Sequence, residues 1–377
     1  MAKKKKKGRY FYDLSLLYIV IFLICFGLLM IYSSSSYAAQ LEGLDANYYM
    51  RHQAIAALIG LAAMIIFSVV DYHWYFRLDR LGILLSIALM ILVSLVGKRV
   101  NGKRRWLGVG SLTFQPTELV KIAVIIALAA MIVRLGQEVD SKRGRLQAAI
   151  IVLPLFVLVA KNNLSSGIIV GGIGFVMMYI ASRSSWRYLV LAGLGVSVFL
   201  SAGILAPYLV KVGILQEYQL SRIMVWKQPE KYASRGGYQV LQGLYAIGSG
   251  GIFGKGLGES IQKFILPEAQ NDMIFSIICE EFGLFGACAT LLGFVFILYR
   301  CLLIANNAPD LFGSMLVIGV MAQIAIQVIL NVAVVSNAIP NTGITLPFIS
   351  YGGTSMIFLM VEIGIVLNVS RQIRLGD

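Results

Sequence analysis

The chain alternates apolar blocks of about 17 to 25 residues with short polar joints, the length at which a helix rising 1.5 Å per residue crosses a roughly 30 Å hydrocarbon core. Blocks at 14–34, 53–70, 81–97, 117–134, 147–160, 167–181, 188–207, 272–299, 311–335 and 351–370 predict an all-α polytopic membrane protein of about ten transmembrane helices. One joint is long. Residues 208–271 form a large extracellular loop between the seventh and eighth spans, residues 1–13 a basic cytoplasmic tail, and 1–377 a single transmembrane domain.

Composition sharpens this picture. A chain that is 58% hydrophobic and 13% charged, with mean hydropathy +0.81, is neither a soluble globule nor a disordered chain, and blocks of this length exclude an outer-membrane barrel. Cys25, Cys279, Cys288 and Cys301 fall in or beside apolar blocks with no C-x-x-C pair, so neither a disulfide nor a His/Cys metal site is expected.

The net charge of +14 raises the question of nucleic acid, and its distribution answers it. Lys3 to Lys7 and Arg9 precede the first apolar block, and Arg77, Arg80, Arg134, Lys142, Arg143, Arg145, Arg183, Arg187, Arg300, Arg371 and Arg374 recur on one set of joints. That is the positive-inside bias of a multi-pass plasma-membrane protein with both termini cytoplasmic, and no nucleic-acid partner is implied. Tyr37-Ala38-Ala39 imitates a signal-peptide cleavage site, but the preceding block is longer than a signal h-region, so the segment is expected to stay as a span.

Positive charge on the opposite side departs from the rule. Lys98, Arg99, Lys103, Arg104 and Arg105 cluster between the third and fourth spans, and Lys211, Arg222, Lys227, Lys231, Arg235, Lys255 and Lys263 decorate the long loop. Bases there can hold an anion at the outer leaflet, with Arg104 and Arg105 as phosphate donors and Trp106 as an interfacial ring or sugar platform; they can also simply neutralise lipid phosphates. Pro116 and Thr117 read as openers of the fourth span, which puts Glu118 and Lys121 one turn apart on one helix face.

The long loop runs through Tyr245-Ala246-Ile247-Gly248-Ser249-Gly250-Gly251 and Gly254-Lys255-Gly256-Leu257-Gly258-Glu259-Ser260. A P-loop would need glycine where Ser249 stands and Ser or Thr where Gly256 stands, so the motif fails. These glycines instead suit tight turns and close backbone approach to a bulky ligand at the membrane surface. The loop then delivers Asp272 to the mouth of the eighth span. Of the acids on or near the outer side (Glu42, Asp45, Glu118, Glu217, Glu230, Glu259, Glu268 and Asp272), only Glu118 and Asp272 stand at span entrances beside basic, polar sequence. Asp272 is either a helix N-terminal residue favoured by the dipole or a partly desolvated general base. Glu280, Glu281 and Glu362 lie deeper and suit burial against other spans or a proton relay. Residues 339–355, punctuated by Pro and Gly, predict non-helical backbone that must be buried in protein or line a wet cavity.

Taken together, Lys103-Arg104-Arg105-Trp106, Gln115-Pro116-x-Glu118-x-x-Lys121, Gly254-Lys255-Gly256-Leu257-Gly258-Glu259-Ser260-x-Gln262-Lys263, Leu266-Pro267-Glu268-x-x-Asn271-Asp272 and Leu346-Pro347-Phe348-Ile349-Ser350-Tyr351-Gly352-Gly353 resemble the SEDS family of FtsW, RodA and SpoVE, in order and over nearly the whole chain, with the glycine run nearer the FtsW and SpoVE branch. The resemblance implies a peptidoglycan glycosyltransferase that polymerises lipid II for cell division at the outer face of the plasma membrane. It implies Asp272 as the catalytic carboxylate and attaches function to Glu118 and Lys121. A substrate-binding set of Arg104, Arg105, Trp106, Gln115, Glu118, Lys121, Lys255, Ser260, Gln262, Lys263, Glu268, Ser350 and Tyr351 follows from its motifs.

The implied reaction is a single displacement with inversion, giving a β-1,4 glycan, with some of Arg104, Arg105, Lys121, Lys255 and Lys263 stabilising the departing undecaprenyl pyrophosphate. A divalent cation, Mg or Mn, is the one cofactor with a place beside that leaving group, and no metal ligand is assigned. Partners implied are lipid II, the growing glycan strand, membrane lipid, a class B penicillin-binding protein and other divisome membrane proteins. Asn271-Asp272-Met273 stands where the family has Thr-Asp-Phe, and Asn162-Asn163-Leu164-Ser165 where many members have Pro-Asp-Leu-Gly. A lipid II flippase and a non-catalytic scaffold for the penicillin-binding partner are the competing functions.

Overall fold

The computed structural model describes residues 11–100, 103–109, 112–201, 208, 210, 212 and 217–374. The lysine cluster near the N-terminus, the predicted end of the seventh span at 202–207 and Lys211 lie outside the described residues.

Nine helices among the described residues are long and apolar enough to cross a membrane. They are α1 (Leu14–Leu41), α2 (Tyr48–Val69), α4 (Asp79–Val96), α5 (Pro116–Leu135), α6 (Lys142–Asn162), α7 (Leu164–Ala181), α11 (Ile274–Asn306), α12 (Leu311–Val335) and α13 (Gly353–Gln372); α3 (His73–Arg77) is a short turn of helix before α4. The predicted seventh span is represented by α8 (Trp186–Leu200). Helix starts follow local chemistry: the Asp13, Ser141 and Asp310 side chains each accept a backbone N–H of the first turn of α1, α6 and α12, and Pro116 stands in the first turn of α5, where its missing N–H is not needed.

Helices α5, α12 and α13 are the most buried, and α13 runs along α2. Both ends of the described chain lie on one face: the Phe11 N–H donates to the Ile373 carbonyl at 3.1 Å, and Arg300 pairs with Asp13 at 2.7 Å. Arg134 pairs with Asp79 at 2.5 Å at the same end of the bundle.

The opposite face departs from the all-α expectation. Residues 98–114 form an antiparallel sheet, β1 (Lys98–Val100), β2 (Lys103–Val109) and β3 (Leu112–Phe114), with Lys98 opposite Trp106 and Leu107 opposite Phe114. The predicted long loop is also largely structured, containing α9 (Glu217–Lys227) and α10 (Gly237–Ser249), and α10 buries Gly237, Val240, Gly243 and Ala246. Its small residues let the amphipathic helix lie close against α11, which is why a segment too polar to span the membrane is still ordered.

Candidate functional site

Asp272 ends an irregular stretch that leads into α11, and it is 7% exposed. Burial pushes its carboxyl up to about 7; its own backbone N–H works against the rise, Glu268 adds to it, and Arg222 opposes it. The surroundings of Asp272 come from elements distant in sequence. On α12, Asn331 donates to the carbonyls of Asp272 at 2.8 Å and Ile344 at 2.7 Å, tying the acid's backbone to the 336–352 segment. Arg222 of α9 donates to the Asn341 carbonyl at 3.0 Å, and the Gly343 position lies against the Asp272 carboxylate.

The 336–352 segment is non-helical, and Ile344, Leu346, Phe348 and Ile349 within it are buried, as predicted for backbone at this depth. Gln53 of α2 satisfies it, donating to the Ser350 carbonyl at 3.3 Å and accepting the Gly352 N–H at 3.0 Å. Ser350 Oγ accepts the Leu346 N–H at 2.8 Å, and the Tyr351 N–H donates to the Gln270 carbonyl at 2.9 Å, joining this segment to the Asp272 strand.

The glycine-rich run has an unexpected partner. At Gly283 (φ +64°) α11 is broken, and residues 250–256 dock into the break. Lys255 and Gly256 donate their N–H groups to the carbonyls of Glu280 and Glu281, both at 2.9 Å, and Leu284 and Phe285 donate theirs to Gly251 at 2.9 Å and Ile252 at 3.0 Å. A Cβ at Gly254 (φ +79°) would sit 2.2 Å from the Glu281 carbonyl oxygen. The close approach expected from these glycines is thus to the chain's own helix rather than to a ligand, because the carbonyls freed at the break need donors.

Glu280 completes the joint. Its buried carboxylate accepts from Lys255 Nζ at 2.6 Å, Ser260 Oγ at 2.5 Å, Ser249 Oγ at 3.3 Å and the Ile261 and Gln262 N–H groups, both at 3.2 Å. Glu281 accepts from Ser33 Oγ of α1 at 2.5 Å, with Lys263 Nζ 3.9 Å away; Lys263 also donates to the Gly258 carbonyl at 2.5 Å. The motif residues Lys255, Ser260, Gln262 and Lys263 are therefore gathered around α11.

The basic set of the sheet is anchored as well. Arg104 donates to the Ser94 carbonyl at 2.9 Å and to the Leu95 carbonyl, capping the C-terminal end of α4, and Arg105 donates to the Asn162 carbonyl at 3.2 Å. Trp106 is half-buried in β2, and Gln115 stands at the start of α5, where its carbonyl accepts the Glu118 N–H at 3.1 Å. Glu118 and Lys121 form the predicted pair at 2.8 Å, both buried, with Ser355 Oγ of α13 at 3.4 Å from Glu118. Glu268 is held at φ +57°, its carboxylate accepting from the Asn271 amide.

Lys121→Met strands the Glu118 carboxylate in the bundle, and stability is expected to fall by about 3 kcal/mol. Adding Glu118→Gln to the same chain removes the stranded charge and recovers most of the loss. Thermal unfolding in detergent, single against double variant, reads both; equal loss in the two would mean that the pair does not act as a unit.

Among the described residues, no group of three or more His, Cys, Asp or Glu side chains converges as a metal site. The residues sequence reasoning passed over are Arg222 as a neighbour of Asp272, and Gln53, Asn331 and Asn341 as backbone clamps. The one legible signal was the polar spacing Gln323, Gln327 and Asn331, four residues apart within an apolar span.

Residues 14–375 match the cell cycle protein family of FtsW, RodA and SpoVE. Stage V sporulation protein E of Bacillus subtilis is 38% identical over 96% of this chain and 98% of its own length. The probable peptidoglycan glycosyltransferase FtsW of the same organism is 36% identical over 100% of this chain and 94% of its own. Among solved structures, a chain from a peptidoglycan synthase complex described as coordinating polymerization and crosslinking superposes with TM-score 0.79 at 26% identity, covering 96% of this chain and 98% of that one. Rod shape determining protein RodA of Thermus thermophilus superposes with TM-score 0.69 at 25% identity, covering 97% and 98%.

Proposed function

Because this chain belongs to the cell cycle protein family of FtsW, RodA and SpoVE, we propose that it is a peptidoglycan glycosyltransferase that polymerises lipid II into β-1,4 glycan strands for septal wall synthesis. The face bearing Asp272 is outward and both termini are cytoplasmic, in keeping with the basic residues on the terminal face. A class B penicillin-binding protein is the partner, with other divisome membrane proteins around it.

The observation that carries this reading is a buried carboxyl at the entrance of α11, its backbone held by Asn331 and its charged form disfavoured by burial. Asp272 takes the proton of the acceptor's GlcNAc 4-hydroxyl as that oxygen attacks the anomeric carbon of the donor's MurNAc. The C–O bond to pyrophosphate breaks, undecaprenyl pyrophosphate leaves, and the α-linked donor becomes a β-linked product. Arg222, whose charge acts on Asp272, meets the developing negative charge together with Arg105, which the Asn162 carbonyl holds at the end of α6. A divalent cation, where present, would neutralise the pyrophosphate; among the described residues no carboxylate cluster is gathered to hold it. Lys255 is committed to Glu280 and supports the loop. The flippase alternative needs Glu280 and Glu281 on a path through the bilayer, whereas both are engaged in holding the loop and α1, which favours the polymerase.

The test is glycan formation from purified lipid II by the reconstituted chain with its penicillin-binding partner, across a pH series. A base works only when deprotonated, so kcat/KM is expected to rise through about pH 7 and level off above it. No polymer at any pH would remove the assignment, and a flat profile from pH 5 to 8 would remove Asp272 as the base.

A further inference from the structure

On the outward face an open groove of about 340 Å³ separates the end of α1 and the start of α2 from the irregular segment that leads to Asp272. Its lining brings Glu42 and Glu268 together with three tyrosines, Tyr37, Tyr49 and Tyr351, and Lys263 as the one base. Lys263 already faces Glu281 at 3.9 Å. Two carboxylates against one committed ammonium make a poor seat for a pyrophosphate.

The same lining suits a pyranose. The rings are fixed: Tyr37 meets Phe264 edge-on at 4.8 Å, and Tyr49 meets Tyr351 edge-on at 5.2 Å. Tyr49 also donates its hydroxyl to Glu42 at 2.8 Å, which orients that carboxylate and leaves its other lone pairs for a ligand. Rigid aromatic faces bind the C–H faces of sugars, and carboxylates accept from ring hydroxyls and acetamido N–H groups. The groove shares a wall with the reaction site, since Glu268 and Asn271 line it and Asp272 is the next residue. Glu268 is held in the left-handed region at φ +57°, a strained backbone for a non-glycine residue, on the segment between groove and acid.

We propose that this groove is a glycan subsite, holding pyranose rings of strand already polymerised so that the product stays engaged between additions. The proposal rests on the polymerase reading and assigns the two sides of the Asp272 strand by charge. The pyrophosphate belongs on the side of Arg222, and the GlcNAc rings, which carry no charge, belong on the side of the tyrosines and Glu42.

Tyr37→Ala and Glu42→Gln alter exposed side chains and leave the buried core intact. In the full chain in nanodiscs with its partner, both variants are expected to release undecaprenyl pyrophosphate from lipid II and to make strands several-fold shorter than wild type. A lipid-free MurNAc–GlcNAc tetrasaccharide with its lactyl carboxyls amidated, followed by saturation-transfer NMR, is expected to bind wild type and to bind either variant about tenfold more weakly, the effect of losing one ring platform or one charge-assisted hydrogen bond. Inorganic pyrophosphate is expected not to displace it. Unchanged strand length in both variants, absence of tetrasaccharide binding to wild type, or competition by pyrophosphate would each overturn the glycan subsite while leaving the polymerase standing. If wild type releases no undecaprenyl pyrophosphate, it is the polymerase reading that fails, and tetrasaccharide binding still reports on the groove alone.

Discussion

Asp272→Asn is expected to lower polymer formation from lipid II by about a thousandfold or more, with fold and partner binding kept. The two side chains are near-isosteric, and the fold holds the backbone here through Asn331, whose bond to the Asp272 carbonyl the substitution does not touch. The environment already disfavours the ionised form, so a neutral side chain removes a strained charge rather than leaving a gap. What is lost is a proton acceptor at the point where the acceptor hydroxyl must ionise, and general-base catalysis contributes about 10² to 10⁴ in rate. Strand synthesis by wild type and variant, matched for folded amount by size-exclusion and thermal unfolding, decides it. Equal polymer from both would reduce Asp272 to a helix N-terminal residue and would favour the scaffold function.

The second large effect is structural. Glu280→Ala is expected to destabilise the chain by about 5 kcal/mol, the upper end for breaking a buried charged pair, because five donors lose their acceptor together. Lys255 can turn toward water, but Ser260 and the Ile261 and Gln262 N–H groups cannot all do so without leaving α11. The glycine run should then lift out of the break at Gly283, and trypsin should cut at Lys255 or Lys263 far faster than in wild type. Glu280→Gln keeps an acceptor oxygen and is expected to lose about half as much. Wild-type thermal midpoint and protease resistance in the alanine variant would show that the backbone bonds across the break suffice to hold the loop.

Much of the fold was legible because hydropathy, span length and charge bias are local properties. The block at 311–335 coincides with α12, and the other predicted spans overlap their helices with shifted ends. Ends moved where a charged residue joins the helix outside the apolar block, as at Asp79, an acid in the first turn of α4 that pairs with Arg134. The sheet was missed although Asn101-Gly102 is a hairpin signal, because hydropathy weighs it only as a polar joint.

At the site, the sequence by itself determined that Asp272 stands at a span entrance, that Glu118 and Lys121 share a helix face, and that no nucleotide motif is present. Each follows from spacing along one element. Only the tertiary structure decided that Arg104 caps α4, that Lys255 serves Glu280, that Asn331 and Gln53 clamp the segments beside the acid, and that a tyrosine-lined groove opens next to it. The physical reason is that these contacts join residues from 9 to 299 positions apart. Which of many equally suitable donors meets a buried acceptor depends on where a broken helix leaves its carbonyls open, and periodicity carries no record of that.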